Sequence, residues 1–351
     1  MTRLLSPLAL VGIVALVPAA LSAQEATTFR AGPTFVSYSV AGTTTSQLAI
    51  PMVAVIPVGS RLTVDIATAF ASTQSSAAGA TSSISGLTDT QLRANYALSG
   101  DNLVLTLGFN IPTGSASVTG AQLAAAQAIG IDFYTFPVPA YGTGLAGTVG
   151  LAYAATAGDW ELGAGASYRK ATEFEPLSGG TSSLKYTPGD EMRLRVGGQT
   201  PVGNGRLALG VIFSAFGSPK LSDTTTVSTG SRAVFQAVFS HPVGANELFL
   251  TLWDLYTGSG KLLAGQAEAS NVINLGVAFG IHAGRVTWEP NIEARLISQG
   301  SNTGNLVFPG LRVRIPAGNW TIFPGASAAF GSVIGTSVTG FRGTLGVQYS
   351  P

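Results

Sequence analysis

The chain has 351 residues, of which only 10% are charged, with 45 glycines and a mean hydropathy of +0.36; an average soluble protein carries roughly 25% charged residues. The absence of cysteine excludes a disulfide framework, a thiolate zinc site and a thiol nucleophile. A formal net charge of +1 gives no electrostatic basis for nucleic-acid binding, and none is expected.

The N-terminus reads as a secretory signal peptide. Arg3 precedes an apolar run from Leu4 to Val17, Pro18 interrupts it, and small residues follow in Ala19-Ala20-Leu21-Ser22-Ala23-Gln24. The run is too short to anchor the chain, so the expectation is export with cleavage after Ala23. Residues 1–23 are then the leader and residues 24–351 the mature domain.

Beyond Ala23 the hydrophobicity is spread as alternation, with no apolar run long enough for a membrane helix. Arg61 to Phe70 places Leu62, Val64, Ile66 and Phe70 opposite Arg61, Thr63 and Asp65. Gln91 to Leu98 separates Leu92, Ala94, Tyr96 and Leu98 from Gln91, Arg93 and Asn95. Trp160 to Arg169 sets Trp160, Leu162 and Tyr168 against Glu161, Ser167 and Arg169. Val286, Trp288, Ile292 and Leu296 oppose Glu289, Asn291, Glu293 and Arg295, and Phe341, Leu345, Val347 and Tyr349 oppose Arg342, Thr344 and Gln348. A period of two means strands with one apolar and one polar face.

Tight-turn sequences punctuate these strands: Pro57-Val58-Gly59-Ser60, Ser99-Gly100-Asp101, Ala157-Gly158-Asp159, Pro201 to Gly205, Pro242 to Asn246, His282-Ala283-Gly284 and Pro316 to Asn319. Longer, more polar connections are expected between them, at Gln74 to Gly86, Glu173 to Thr187, Ser218 to Gly230 and Ser298 to Thr303. Short turns alternating with long loops are the pattern of an outer-membrane barrel, and lipid, which cannot hydrogen-bond a bare sheet edge, requires closure. The prediction is an all-β, up-and-down antiparallel transmembrane barrel of about 16 strands, with about 14 as the alternative because Phe249 to Leu263 alternates poorly. A soluble sandwich, with the apolar faces buried between two sheets, is the competing architecture. Trp160, Trp320, Tyr96, Phe239 and Tyr349 lie beside tight turns or the C-terminus, where an interfacial girdle is expected.

Two features bear on function. The connection Gly114 to Gly144 carries a short helical stretch, Gly120 to Ile129, and then Phe133, Tyr134, Phe136, Val138 and Tyr141, stiffened by Pro137 and Pro139. So apolar a segment is expected to pack on something: the barrel mouth, which it would constrict, or a neighbouring barrel or the outer leaflet. The inward faces are expected to carry charges at Arg193 and Arg195 with Glu191, at Glu289, Glu293 and Arg295, and at Arg312, Arg314 and Arg342. These either tune solute preference or pair to brace the wall. Val53, Val55, Val104, Ile212, Val234 and Val238 share that face and suggest a partly hydrophobic path. His241 and His282 fall beside turns with no third triad member at a recognisable spacing, so neither enzymatic activity, nor a metal, nor a cofactor is expected.

Gly86 to Leu98, the stretch Leu107-Gly108-Phe109-Asn110-Ile111-Pro112-Thr113-Gly114, and Gly144 to Tyr168 resemble strands of transporter-like outer-membrane barrels, the group that includes fatty-acid and aromatic-hydrocarbon uptake channels. The resemblance implies a monomeric barrel importing small hydrophobic molecules, with lipid and solute as partners. Two departures stand out. A first strand near Thr28 leaves no room for the N-terminal hatch of fatty-acid channels, and the chain ends Gln348-Tyr349-Ser350-Pro351 rather than on an aromatic residue. The expected function is passage of small molecules; the alternative is a non-transporting barrel with a structural or surface-contact role.

Overall fold

The computed structural model describes residues 27–98, 102–179, 184–222, 225–228, 230–262 and 265–350. The expected leader, residues 1–23, and the expected turn Ser99-Gly100-Asp101 lie outside the described residues. One antiparallel sheet of 18 ladder segments runs through the chain. Two strands are each made of two segments, so the sheet is a closed barrel of 16 strands. They are β1 (Thr28–Ala31 and Thr34–Val40), β2 (Thr43–Val58), β3 (Leu62–Ala77), β4 (Ala80–Leu87 and Thr90–Ala97), β5 (Leu103–Ile111), β6 (Ala146–Ala157), β7 (Trp160–Ala171) and β8 (Glu191–Val202). The circuit continues through β9 (Gly205–Phe216), β10 (Arg232–Val243), β11 (Asn246–Thr257), β12 (Ser270–Ala283), β13 (Val286–Gln299), β14 (Asn302–Ala317), β15 (Trp320–Val333) and β16 (Thr336–Tyr349).

Each strand pairs with its sequence neighbours, and β1 closes on β16 through Phe29↔Tyr349 and Tyr38↔Gly340. Closure leaves no unpaired edge, which is the condition for a sheet to stand in hydrocarbon. The outward rows are greasy and uncovered: Ile66, Leu107, Leu151, Leu162, Leu194, Val196, Val211, Leu250, Val277, Ile292, Val307 and Leu345 are all exposed. Only a bilayer satisfies such a girdle, and the soluble sandwich, which would bury these rows, is excluded. Trp160, Trp320, Tyr96, Phe239 and Tyr349 lie on outward rows toward the end that carries both chain termini, with Trp320 and Tyr349 in ring contact at 4.8 Å.

The hairpins at the two ends differ in kind. At the termini end Gly158, Gly203, Gly244, Gly284 and Gly318 hold the first turn position with φ between 58° and 64°, the signature of a type II′ turn. At the opposite end Ala41-Gly42, Ala78-Gly79 and Ile334-Gly335 have positive φ at both positions, as type I′ turns require.

That end corrects two expected loops. Gln74 to Gly86 is not a loop: β3 and β4 continue through it to Ala78-Gly79, with Gln74↔Ser83 and Ala77↔Ala80 in register. Ser298 to Thr303 is likewise a hairpin, Gln299↔Asn302 flanking Gly300-Ser301. The poorly alternating stretch after Phe249 forms the regular strand β11. The connections 172–190 and 217–231 are long as expected. They contribute Phe174–Ser178, Leu184–Thr187, Lys220–Leu221 and Thr225–Thr226 to a small second sheet that also takes Val118–Thr119.

Candidate lumenal site

The segment 112–145, between β5 and β6, folds inward. A single turn of 3-10 helix at Gly120–Gln122 leads into α1 (Leu123–Ile129), and the chain then crosses the lumen. Phe133, Phe136, Val138 and Tyr141 are buried, together with Ala125 and Ile129 of α1. They form one cluster with inward residues of the wall: Val36 and Tyr38 on β1, Ala49 on β2, Ala71 on β3, Val272 on β12, Ile297 on β13, and Leu306 and Phe308 on β14. Tyr134 packs against the cluster, its ring 5.2 Å from Tyr38, and Phe136 meets Tyr38 edge-on at 5.6 Å. The four aromatic residues singled out in the sequence are thus brought together against the wall.

Polar side chains fix this segment at several points. Asp89 lies where β4 leaves the ladder between Leu87 and Thr90, and holds both legs: it accepts from Gly114 N at 3.2 Å, Thr143 N at 2.7 Å and Asn110 Nδ2 at 2.8 Å. The legs meet so closely that a Cβ on Gly114 would lie 2.0 Å from the Tyr141 carbonyl oxygen. Gln47, fully buried, clamps the Val138 backbone from both sides, donating to its carbonyl at 2.8 Å and accepting from its N–H at 2.9 Å. The Tyr141 hydroxyl donates to Ile84 O at 2.9 Å and contacts Thr73 Oγ1 at 2.9 Å. Burial pushes the phenol above its ordinary value, which keeps it a neutral donor. On the far wall Arg295, 2% exposed, donates to Phe133 O at 2.8 Å and sits over the rings of Phe308 (4.6 Å) and Trp253 (5.5 Å). Arg232 pairs with Asp132 at 2.5 Å. The segment is therefore fastened to β2, β3, β4, β10 and β13, and its returning leg also to Asn110 of β5, which donates to Gly144 O at 2.7 Å, and to Arg169 of β7, which donates to Thr143 Oγ1 at 3.4 Å.

The predicted charges all lie on inward rows, and they divide by role. Glu289, 1% exposed, accepts from Arg314 at 3.0 Å and is paired with Arg312, so these three brace β13 against β14. Glu293 faces Asn274 Nδ2 at 3.4 Å, and Arg342 lies 5.9 Å from the Phe308 ring. Arg193 is held by Glu191 at 2.6 Å and by Ser214 at 3.2 Å. Arg195 has no hydrogen-bond acceptor among the described residues, and its Nε is buried without a partner.

No family model matches the sequence, and no curated protein matches it. Solved structures do. A bacterial polysaccharide outer membrane secretin aligns over 93% of this chain and 98% of its own at 8% identity, with a TM-score of 0.51. OmpT of Vibrio cholerae (14% identity, 93% and 98% coverage, TM-score 0.42) and the CymD monoaromatic hydrocarbon channel (11%, 96% and 91%, 0.45) are more distant in shape. The fold is that of a bacterial outer-membrane β-barrel.

Within this barrel the inserted segment is eccentric. Its buried cluster draws on β1–β4 and β11–β16 and on no described residue of β5–β10. The inward face of β5–β9 carries Gly108, Gly150, Gly163, Gly165, Gly197 and Gly210, and Arg93, Arg193 and Arg195 stand beside that low wall. Sequence reading missed Gln47, Asp89, Arg93 and Arg232. Their one local signal is a polar residue breaking a strand, as Thr88-Asp89 does; their partners are remote in sequence.

Proposed function

We propose that the barrel is a passive outer-membrane channel that carries small molecules, hydrophobic ones among them, through a crescent of lumen between the inserted segment and β5–β9. The observation that carries this reading is the one-sided seat of the segment. A plug built to seal the barrel would pack its apolar side against the whole circumference, whereas the apolar cluster of this one includes no described residue of β5–β9. A barrel of this width has a lumen wherever side chains or loops do not fill it. Inward Val53, Val55, Val104, Ile212, Val234 and Val238, among arginines and small residues, suit solutes with an apolar part. The short type II′ turns would face the periplasm and the longer connections the exterior. His241 stacks on Phe239 on an outward row, which suits a conduit better than a catalytic centre.

The test is reconstitution of the full barrel, and of a variant with residues 115–141 replaced by a short glycine-serine link, into liposomes and planar bilayers. The reading expects measurable conductance and solute-driven swelling for the full barrel and a larger conductance for the variant. A full barrel that stays silent while the variant conducts would make the segment a seal. Silence from both would favour a structural or surface-contact barrel.

A further inference from the structure

Of the carboxylates on the sixteen strands, Asp65, Glu161, Glu191, Glu247, Glu289 and Glu293 lie on inward rows, and Asp254, on β11, lies on an outward one. Its row is apolar on both sides, with Phe235 and Val211 on one and Ile273 and Leu296 on the other. One row nearer the end opposite the termini, Tyr256, Asn271 and Ser298 stand side by side on β11, β12 and β13. The Oδ1 atoms of Asp254 and Asn271 are both shielded from solvent and have no hydrogen-bond partner among the described residues. One row nearer the termini, Ala237, Leu252, Leu275 and Ala294 cross a groove of about 460 Å³ in the outer wall.

Acyl chains offer these two oxygens no donor, and a bare acceptor in hydrocarbon is costly. The terminal torsion of Asp and Asn is soft, so each oxygen can turn toward a donor that arrives from outside the barrel. The patch itself carries matching donors: the exposed Tyr256 hydroxyl, the Asn271 amide and the Ser298 hydroxyl. Two copies inserted in one membrane share its orientation. A two-fold axis along the membrane normal therefore turns the patch onto its own copy, and donors of each barrel meet acceptors of the other, the self-complementarity that such a contact requires. Small residues let packed membrane segments approach closely, and the groove at Ala237 and Ala294 leaves room for a partner's leucines. We propose that the outward face of β11 and β12 is the contact surface of a two-fold dimer of this barrel, with Asp254 accepting from the partner's Asn271 amide and Asn271 accepting from the partner's Tyr256 hydroxyl. The monomer implied by the resemblance to uptake channels would leave both oxygens bare. The surface is independent of what passes through the lumen.

The chain has no cysteine, so single thiols report the contact. Ile273→Cys places one beside Asp254, and Leu107→Cys places one on the outward face of β5, seven strands away. Both barrels are refolded into liposomes of phosphatidylcholine, whose headgroup has no hydrogen-bond donor, and oxidised with copper phenanthroline. Ile273→Cys should form covalent dimer about tenfold faster than Leu107→Cys at the same protein-to-lipid ratio. Adding Asp254→Leu with Asn271→Leu, residues this wall already uses, should lower the Ile273→Cys rate about tenfold, the effect of weakening association by about 1.4 kcal/mol. Asp254→Asn, which keeps an acceptor oxygen, should retain most of it. Equal rates at the two thiols, or a rate unchanged by the leucine pair, would overturn the dimer. The comparison of the two thiols decides the matter if the leucine pair does not assemble. If Ile273→Cys stays monomeric and added lipopolysaccharide shields its thiol from a maleimide, the patch holds a lipid and the dimer is wrong.

Discussion

Asp89 should act as the staple of the inserted segment, and its removal should be measurable without any assumption about transport. The carboxylate accepts from the backbone N–H groups of Gly114 and Thr143, one on each leg, and from the Asn110 amide. Hydrogen bonds to a charged acceptor contribute about 1.5–3 kcal/mol each, and three around one carboxylate are not additive. For Asp89→Ala a loss of about 3 kcal/mol in the seating of the segment is a conservative figure, since Gln47, Tyr141 and Arg295 still hold its middle. That shift raises the unseated fraction by roughly two orders of magnitude. The buried Phe133 and Tyr141 and the half-buried Tyr134 are themselves chymotrypsin sites, and cleavage of a transiently opened segment tracks the open population when reclosing is fast. Folded Asp89→Ala barrel should therefore be cut within 112–145 about a hundredfold faster than wild type. Asp89→Asn, which keeps one acceptor oxygen, should fall between. Equal cleavage rates in all three proteins would refute the stapling argument.

Arg295→Met should loosen the far attachment by leaving Phe133 O without its donor and removing the stacking on Phe308. The expected result is about tenfold faster cleavage at Phe133 and noisier single-channel current, with the barrel itself intact. Glu289→Gln should lower stability by about 3–5 kcal/mol, the usual effect of breaking one side of a buried charge cluster, read as a lower urea midpoint for the heat-modifiable gel shift. Leu194→Arg, on the outward face, should cost about 2–4 kcal/mol in lipid but much less if that face met water; comparing its unfolding in bilayers and in detergent checks which solvent it sees.

The barrel was legible because two solvents enforce one pattern. Lipid outside and an enclosed aqueous space inside impose alternation on Trp160 to Arg169 and on Val286 to Leu296, and the structure has the same parity. Where a strand meets neither solvent cleanly, the pattern fades. On β11 the inward Trp253 and Leu255 pack against the inserted segment while the outward Leu250 and Leu252 face lipid, so both faces are apolar. The ends of β3 and β4, Gln74-Ser75-Ser76 and Thr81-Ser82-Ser83, are polar on both faces and read as loop although the ladder continues through them. The aromatic run from Phe133 to Tyr141 announced a segment that must pack, but not on which surface. The answer lies in contacts such as Gln47 with Val138 and Arg295 with Phe133, which join residues far apart in sequence and carry no local signature.

The glycine wall offers the sharpest discrimination between a channel and a braced scaffold. Gly163, Gly197 and Gly210 stand side by side on β7, β8 and β9. Glycine weakens a strand by roughly 0.5–1 kcal/mol relative to alanine, so a row of them needs a reason. Crowding is the reason at Gly197, where a Cβ would lie 2.9 Å from Leu209 O. It is not the reason at Gly163 or Gly210, where the nearest atoms to a Cβ would be 3.9 Å and 4.0 Å away and the backbone has no positive φ. What remains is the space these positions leave in the lumen. Gly163→Val with Gly210→Val should leave the barrel as stable as wild type or slightly more so, because β-branched residues favour strands. The same pair should lower single-channel conductance and the size limit for swelling, since both side chains point into the lumen. A variant that folds well and conducts like wild type would mean that solutes do not pass along this wall.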